Sequence, residues 1–181
     1  HFMANLLKAD HEFEGGWYDP SKQLSAMKLV WQVIRIYYTS EKLYQLTCFD
    51  PFAHAPSAQL KRDAATAAFL TAGTEMAVAA YDANSLITVV NAINTFDLGE
   101  GFDTYEEGVR QIRCPVLLLN VDTDQEFPPR GAEELACILN ADRPGQATVR
   151  TIESPWGHLG CVRESAQLET HIKTWMHATG L

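Results

Sequence analysis

Apolar residues in the first hundred positions recur at steps of three and four, and just after Cys114 they come in an unbroken run, Val116-Leu117-Leu118-Leu119. The first spacing is that of a helix face and the second that of buried strands. A short helix is predicted over 3–9. Gly15-Gly16 and Asp19-Pro20 then make the stretch to residue 20 a loop, its aromatics Phe13, Trp17 and Tyr18 packing on the domain or meeting a substrate. Ser21 is a candidate cap for a helix over 22–38, with Leu24, Met27, Val30, Trp31, Ile34 and Tyr38 at helical steps and Leu29, Val33, Ile36 and Tyr37 widening the stripe. So broad an apolar face predicts a helix that is enclosed or faces a partner. Thr39-Ser40-Glu41 signals a further start, with a short helix to about residue 46 and a loop framed by Asp50-Pro51 and Ala55-Pro56.

The alanine-rich stretch 57–81 predicts a long helix broken near Gly73. Asp82-Ala83-Asn84-Ser85 opens the next, over 86–96, with Leu86, Val89, Val90 and Ile93 assigned to one face. A glycine-containing loop over 97–103 and a short helix over 105–112 lead to a change of pattern. A strand is predicted over 115–120, continuous in apolar residues as strands covered on both faces are. The acidic loop 122–129, a helix over 130–139, a turn at Arg143-Pro144-Gly145, a strand over 147–152 and a helix over 164–176 follow, the last with Leu168, Ile172 and Trp175 inward. The order is helices, then β-α-β-α. Two parallel strands joined by one crossover do not make a self-sufficient sheet. The expectation is therefore an α/β fold whose parallel sheet is completed by an upstream segment or another chain, with the helical first hundred residues as a lid.

Composition narrows the function. A formal net charge of -9 argues against a nucleic-acid partner. No run approaches the 18 apolar residues of a membrane span, and the first residues lack a charged-then-apolar signal pattern. The four cysteines, Cys48, Cys114, Cys137 and Cys161, lack the C-x-x-C spacing of zinc or redox sites. Buried or half-buried free thiols in a reducing, cytoplasmic setting are expected. No metal-ligand spacing and no glycine-rich phosphate loop is visible, so no bound cofactor or metal is expected.

Candidate chemistry gathers after the two strands, where α/β sheets place their sites. His158 follows Gly157 beyond the second strand, and Asp122 and Asp124 lie in the loop beyond the first. An aspartate and a histidine so placed are two parts of a Ser-His-Asp device. Either aspartate can orient the imidazole, and either can serve as a plain turn cap. A nucleophile is not apparent: Ser21, Ser25, Ser40, Ser57, Ser85, Ser154 and Ser165 all lack the Gly-x-Ser-x-Gly context of a nucleophile elbow. Ser154 and Cys161 flank His158, the first misplaced for an elbow and the second a minor candidate thiol.

Four blocks carry a family resemblance: Asp10 to Tyr18 with Gly15-Gly16; Ile34-Arg35-Ile36-Tyr37-Tyr38-Thr39-Ser40; Tyr81-Asp82-Ala83-Asn84-Ser85 with Phe96-Asp97; and Asp124 to Pro129 with Glu153 to His158. In this order they resemble the C-terminal half of the homoserine O-acetyltransferase family, an α/β-hydrolase branch. The resemblance implies a loop over 1–20 entering a helical lid over 21–104, then the C-terminal α/β-hydrolase portion over 105–181. It implies Asp124 as triad acid and His158 as base, with the serine and oxyanion donors supplied by an N-terminal segment or chain outside this sequence. It implies acyl transfer through an acyl-serine, from acyl-CoA as co-substrate or from an ester as in related hydrolases, and a homodimer formed through the lid. Trp17, Tyr18 and Leu159 are the substrate-contacting candidates. Leu159 stands where the acetyltransferases carry an aspartate that binds the substrate amine, and Ala4 where an arginine binds its carboxylate. The resemblance therefore implies a less polar acceptor than homoserine, or a simple ester. A non-catalytic fragment or partner subunit is the reading from another class.

Overall fold

The computed structural model describes residues 1–19, 21–48 and 56–180, leaving aside the side chains at 48, 56–60 and 62. The expected loop at 50–55 lies outside the described residues. The helix-first, β-α-β-α order holds, and the chain divides into two compact units, His1–Ile36 with Gln45–Phe96 and Tyr37–Tyr44 with Asp97–Leu181.

The first unit is helical. Helix α1 (Phe2–Lys8) packs on α6 (Ala83–Thr95), burying Ala4 and Leu7. Helix α2 runs Ser25–Tyr38, three residues later than predicted, because Ser21 is not its cap: its N–H and hydroxyl both bond the Asp19 carboxylate. The cap comes from far upstream, where the Asp10 carboxylate accepts from the Ala26 N–H at 2.8 Å and from the Ser25 hydroxyl at 2.9 Å. The predicted stripe splits: Leu24, Met27, Val30 and Ile34 are buried, whereas Leu29, Ile36 and Tyr37 are at least half exposed. Helices α3 (Glu41–Cys48), α4 (Pro56–Thr71) and α5 (Thr74–Ala80) follow, the break between the last two falling at Gly73, whose φ of 76° ends the alanine-rich run as predicted. Asp82 caps α6 by accepting from the Ser85 N–H. The inward face of α6 is Ala83, Ile87 and Val90, so only Val90 of the predicted face is buried; Val89 and Ile93, and Phe96 just after the helix, point outward, 54%, 65% and 73% exposed.

In the second unit, Thr104 caps α7 (Tyr105–Val109), and strands β1 (Val116–Val121) and β2 (Ala147–Ile152) pair in parallel, Val116 opposite Ala147 and Val121 opposite Ile152. Helix α8 (Pro129–Asp142), with proline at its first position, packs on both strands. Val109, Ala136, Leu139 and Ala147 form the core there, joined by Val116, Leu118 and Val149. These strand residues share one face, as the twofold period requires. Within this chain β1 is half-buried except at Val121, with α8 and α10 both packed on it, as expected of a strand whose sheet is completed by a further segment. A 3-10 turn, Gly157–Leu159, leads to α9 (Gly160–Arg163) and α10 (Ser165–Thr179). Helix α10 lies against both strands but buries no residue fully; of the inward row predicted, Leu168 and Trp175 are half-buried and Ile172 is 40% exposed. Cys114, Cys137 and Cys161 are free and exposed rather than buried. No single described helix is long and apolar enough to cross a membrane.

Candidate active site

The last residues of the two strands, Val121 and Ile152, are each 1% exposed. Burying them contributes on the order of 2 kcal/mol each and fixes where the two loops emerge. From there the aspartates diverge. The Asp122 carboxylate accepts from the Ser154 N–H at 2.9 Å, bracing one loop on the other. The Asp124 side chain is only 5% exposed. One of its oxygens accepts from the backbone N–H groups of Glu126 and Phe127, at 2.8 and 3.0 Å; the other meets His158 Nδ1 at 3.0 Å. Two backbone bonds thus aim the second oxygen at the ring. A carboxylate opposite Nδ1 selects the tautomer with the proton on that nitrogen and leaves Nε2 as the basic one.

The histidine loop is fixed as closely. The Thr123 hydroxyl donates to the Ser154 carbonyl at 2.6 Å and accepts from the Gly157 N–H at 3.2 Å. Gly157 has a φ of 61°, which favours glycine, and Gly160 starts α9 against Val121, where a Cβ would lie 2.9 Å from the valine methyls. The imidazole, 21% exposed, has the Tyr38 ring at 4.4 Å between centroids and the Phe127 ring at 5.4 Å. Leu159 follows in the same 3-10 turn, half-buried.

The flanking nucleophile candidates fare poorly. Ser154 is 3% exposed, its hydroxyl donating to Glu164 at 2.8 Å and accepting from the Trp156 N–H, so it is an internal brace. Burial, and then the Asp124 carboxylate, push the Cys161 thiol up, the opposite of what a thiolate nucleophile needs.

The other candidates belong to the first unit. Trp17 is 89% exposed. The Tyr18 hydroxyl donates to Asp82 and accepts from the Ala83 N–H at 2.9 Å, and burial and then that carboxylate hold the phenol above its ordinary pKa. Ala4 is buried, at 3% exposure. Sequence reasoning missed Tyr38 as a neighbour of His158 and Asp10 as a cap; neither carries a local signal, because each acts across a long sequence separation.

A parallel βαβ unit with an aspartate and a histidine at its carboxyl edge is the arrangement of the α/β-hydrolase fold, and solved structures agree. The chain superposes on the crystal structure of homoserine O-acetyltransferase from Bacillus anthracis with a TM-score of 0.71 at 21% identity, covering 87% of this chain and 42% of that one. Esterase E22 gives a TM-score of 0.76 at 20% identity, over 94% of this chain and 47% of that one, and a leucine-to-aspartate variant of the same esterase gives 0.68. Both matches fall on the C-terminal part of the neighbour.

In sequence, the chain is similar to enzymes named homoserine O-acetyltransferase. It is 27% identical to the enzyme of Chlorobaculum parvum over 86% of this chain and 41% of the relative, and 26% identical to that of Moorella thermoacetica over 97% and 47%. It therefore spans less than half the length of these relatives. No protein-family model matches it.

Proposed function

We propose that this chain carries the acid and the base of an acyl-transfer enzyme that works through a Ser-His-Asp triad, with the serine contributed from outside residues 1–181. The observation that carries the reading is the 3.0 Å contact between His158 Nδ1 and Asp124 at the carboxyl edge of two parallel strands. His158 Nε2 accepts the serine proton as the serine oxygen attacks the acyl carbonyl. It then hands that proton to the leaving group, the thiol of a coenzyme A thioester or the alcohol of an ester. In the second half it takes a proton from the acceptor hydroxyl, or from water, and returns it to the serine. Asp124 holds the ring and stabilises the imidazolium in both halves. Acyl-CoA is thus a co-substrate, and no bound cofactor is needed.

The acceptor differs from homoserine in this reading. A zwitterion needs charged partners to replace its hydration, and the two positions expected to supply them hold Leu159 and the buried Ala4. An O-acyltransferase with a less polar acceptor is the first form of the proposal. A sister esterase, with water as the acceptor, is the second, favoured by Leu159 and by the likeness to an esterase. Residues 21–104 act as the lid, with 1–20 leading into it and 105–181 as the hydrolase portion, and Trp17 is a substrate-contacting aromatic. Outward apolar residues of α6 (Val89 and Ile93) and Phe96 just after it support pairing of two lids in a homodimer. The reading keeps the enzyme in the cytoplasm, where its exposed thiols stay reduced.

The test is Asp124→Asn in the complete enzyme, assayed on an acyl-CoA with small alcohols and on a chromogenic acetyl ester. The amide keeps the shape but favours the wrong tautomer, and turnover is expected to fall by about 10⁴ on both. Unchanged turnover would remove Asp124 from the triad and the reading with it. Acceptor-dependent release of coenzyme A in the parent enzyme selects the transferase; ester cleavage without it selects the esterase.

A further inference from the structure

Tyr38 is the last residue of α2, and the two residues after it do more than turn the chain toward α3. Thr39 and Ser40 are 4% and 2% exposed, unusual burial for two polar residues between helices. The Ser40 hydroxyl accepts from the Leu43 N–H at 2.9 Å, capping α3, and donates to the Pro155 carbonyl in the histidine loop. The Thr39 carbonyl accepts from Gln125 Nε2 at 3.2 Å, in the acid loop. Gly157 lies so close that a Cβ there would stand 2.7 Å from the Ser40 nitrogen and 2.8 Å from the Tyr38 carbonyl oxygen. Residues 38–40 thus form a strap pinned to both loops of the Asp124–His158 pair.

The strap delivers one side chain to that pair. The Tyr38 ring stands 4.4 Å from the imidazole, inclined at 51°, and Phe127 stands 5.4 Å away, inclined at 50°. Phe127 is itself held, its carbonyl accepting from Asn120 Nδ2 at 3.1 Å. Asp124 fixes Nδ1 but leaves the imidazole free to pivot about that hydrogen bond. Two inclined rings remove this freedom, and positioning to within a fraction of an ångström is what general-base catalysis requires.

We propose that Tyr38 is a positioning residue for His158: the pinned strap sets its ring against the imidazole, so that Nε2 keeps one direction while Asp124 holds Nδ1. The proposal rests on the acyl-transfer reading for its consequence in turnover, but its geometry can be tested without turnover. It assigns the effect to the ring of Tyr38, not to its hydroxyl.

The experiment compares Tyr38→Ala and Tyr38→Phe in the complete protein, labelled with ¹⁵N-histidine, with His158→Gln to identify the His158 signals. In the parent, the His158 Nδ1 proton is expected as a sharp downfield resonance. Tyr38→Ala should broaden or shift it and lower kcat by about 10- to 100-fold, with KM within about twofold; Tyr38→Phe should restore both. Phe127→Leu, at a half-exposed position that tolerates change, provides the second wall should Tyr38→Ala fold poorly, and a smaller change in the same resonance is expected. An unaltered His158 resonance in Tyr38→Ala, or in Phe127→Leu where the first variant does not fold, overturns the proposal. So does a Tyr38→Phe protein as impaired as Tyr38→Ala. If the resonance responds as expected while Asp124→Asn leaves turnover intact, the positioning stands and the acyl-transfer reading fails.

Discussion

Gly157→Ala separates two costs that the structure places on one residue. The first is conformational: at a φ of 61° an L side chain meets its own backbone, costing about 1–2 kcal/mol. The second is spatial. The added Cβ would stand 2.7 Å from the Ser40 nitrogen, 2.8 Å from the Tyr38 oxygen and 3.0 Å from the Thr39 carbonyl carbon. These are backbone atoms of a segment pinned by Gln125 and Pro155, so relief requires moving the strap, at about 1–3 kcal/mol by analogy with overpacked cores. The whole is about 2–5 kcal/mol, a large share of a domain's 5–15. Gly145 is the internal control. Its φ is 83° and a Cβ there would meet nothing within 4 Å, so Gly145→Ala carries the first cost alone. Urea denaturation of both variants, followed by tryptophan fluorescence, gives each loss, and the difference isolates the clash. The expected order is Gly157→Ala well below Gly145→Ala, by at least about 1 kcal/mol. Equal losses would show that the strap does not approach the histidine loop as described, and would remove the structural basis for Tyr38 as well.

Two further expectations concern stability. Asp10 is held below the usual carboxylate range, first by the Ala26 N–H and further by Glu12, Ser25 and His11 against the opposing effect of burial. A depressed folded pKa gives stability that is complete above the unfolded value, about 3.9, and lost as pH falls through the folded one. Asp10→Asn, which removes the charge behind these hydrogen bonds, should therefore cost about 1 kcal/mol near pH 7, with the gap closing below about pH 4; a gap constant from pH 7 to pH 3 in denaturation curves would show that charge plays no part in the cap. Thr39 buries a hydroxyl oxygen with no hydrogen-bond partner among the described residues. Thr39→Val should leave the chain equally stable or stabilise it by up to about 1 kcal/mol in urea denaturation, and a loss of that size would reveal a partner for the hydroxyl.

Local chemistry made much of this fold legible. The break at Gly73 and the start of α6 at Asp82 lie within a few residues of the ends they set. The inward face of α6 was not legible. Leu86, Val89, Val90 and Ile93 make as good a stripe as Ala83, Ile87 and Val90, and a helix apolar on both sides has no pattern that chooses between them. Only the packing of α1 on α6 decides. The start of α2 failed for a related reason. Ser21 satisfies the rule for a cap, but Asp19 binds both its N–H and its hydroxyl, and the carboxylate that caps the helix lies fifteen residues before Ser25.

The candidate site divides along the same line. That an aspartate and a histidine meet beyond the strands follows from topology, since consecutive parallel strands release their loops at one edge. Which aspartate meets the histidine does not. Asp122 and Asp124 are two residues apart in one loop, and the choice was made by the Ser154 N–H, which takes Asp122, and by the Glu126 and Phe127 N–H groups, which turn Asp124 the other way. Each of those donors is a backbone group, available whatever its side chain, so spacing alone left both aspartates open and only the resemblance of the block from Asp124 to Pro129 pointed to one. The strap is different in kind. Ser40 reads as a helix cap and is one; the same hydroxyl also donates to Pro155, 115 residues on. A residue whose local role is already sufficient gives no reason to look for a second. The glycine opposite it gives one. Gly157 is needed for its φ and for the space it leaves, and that space is filled by the backbone that carries Tyr38 to His158.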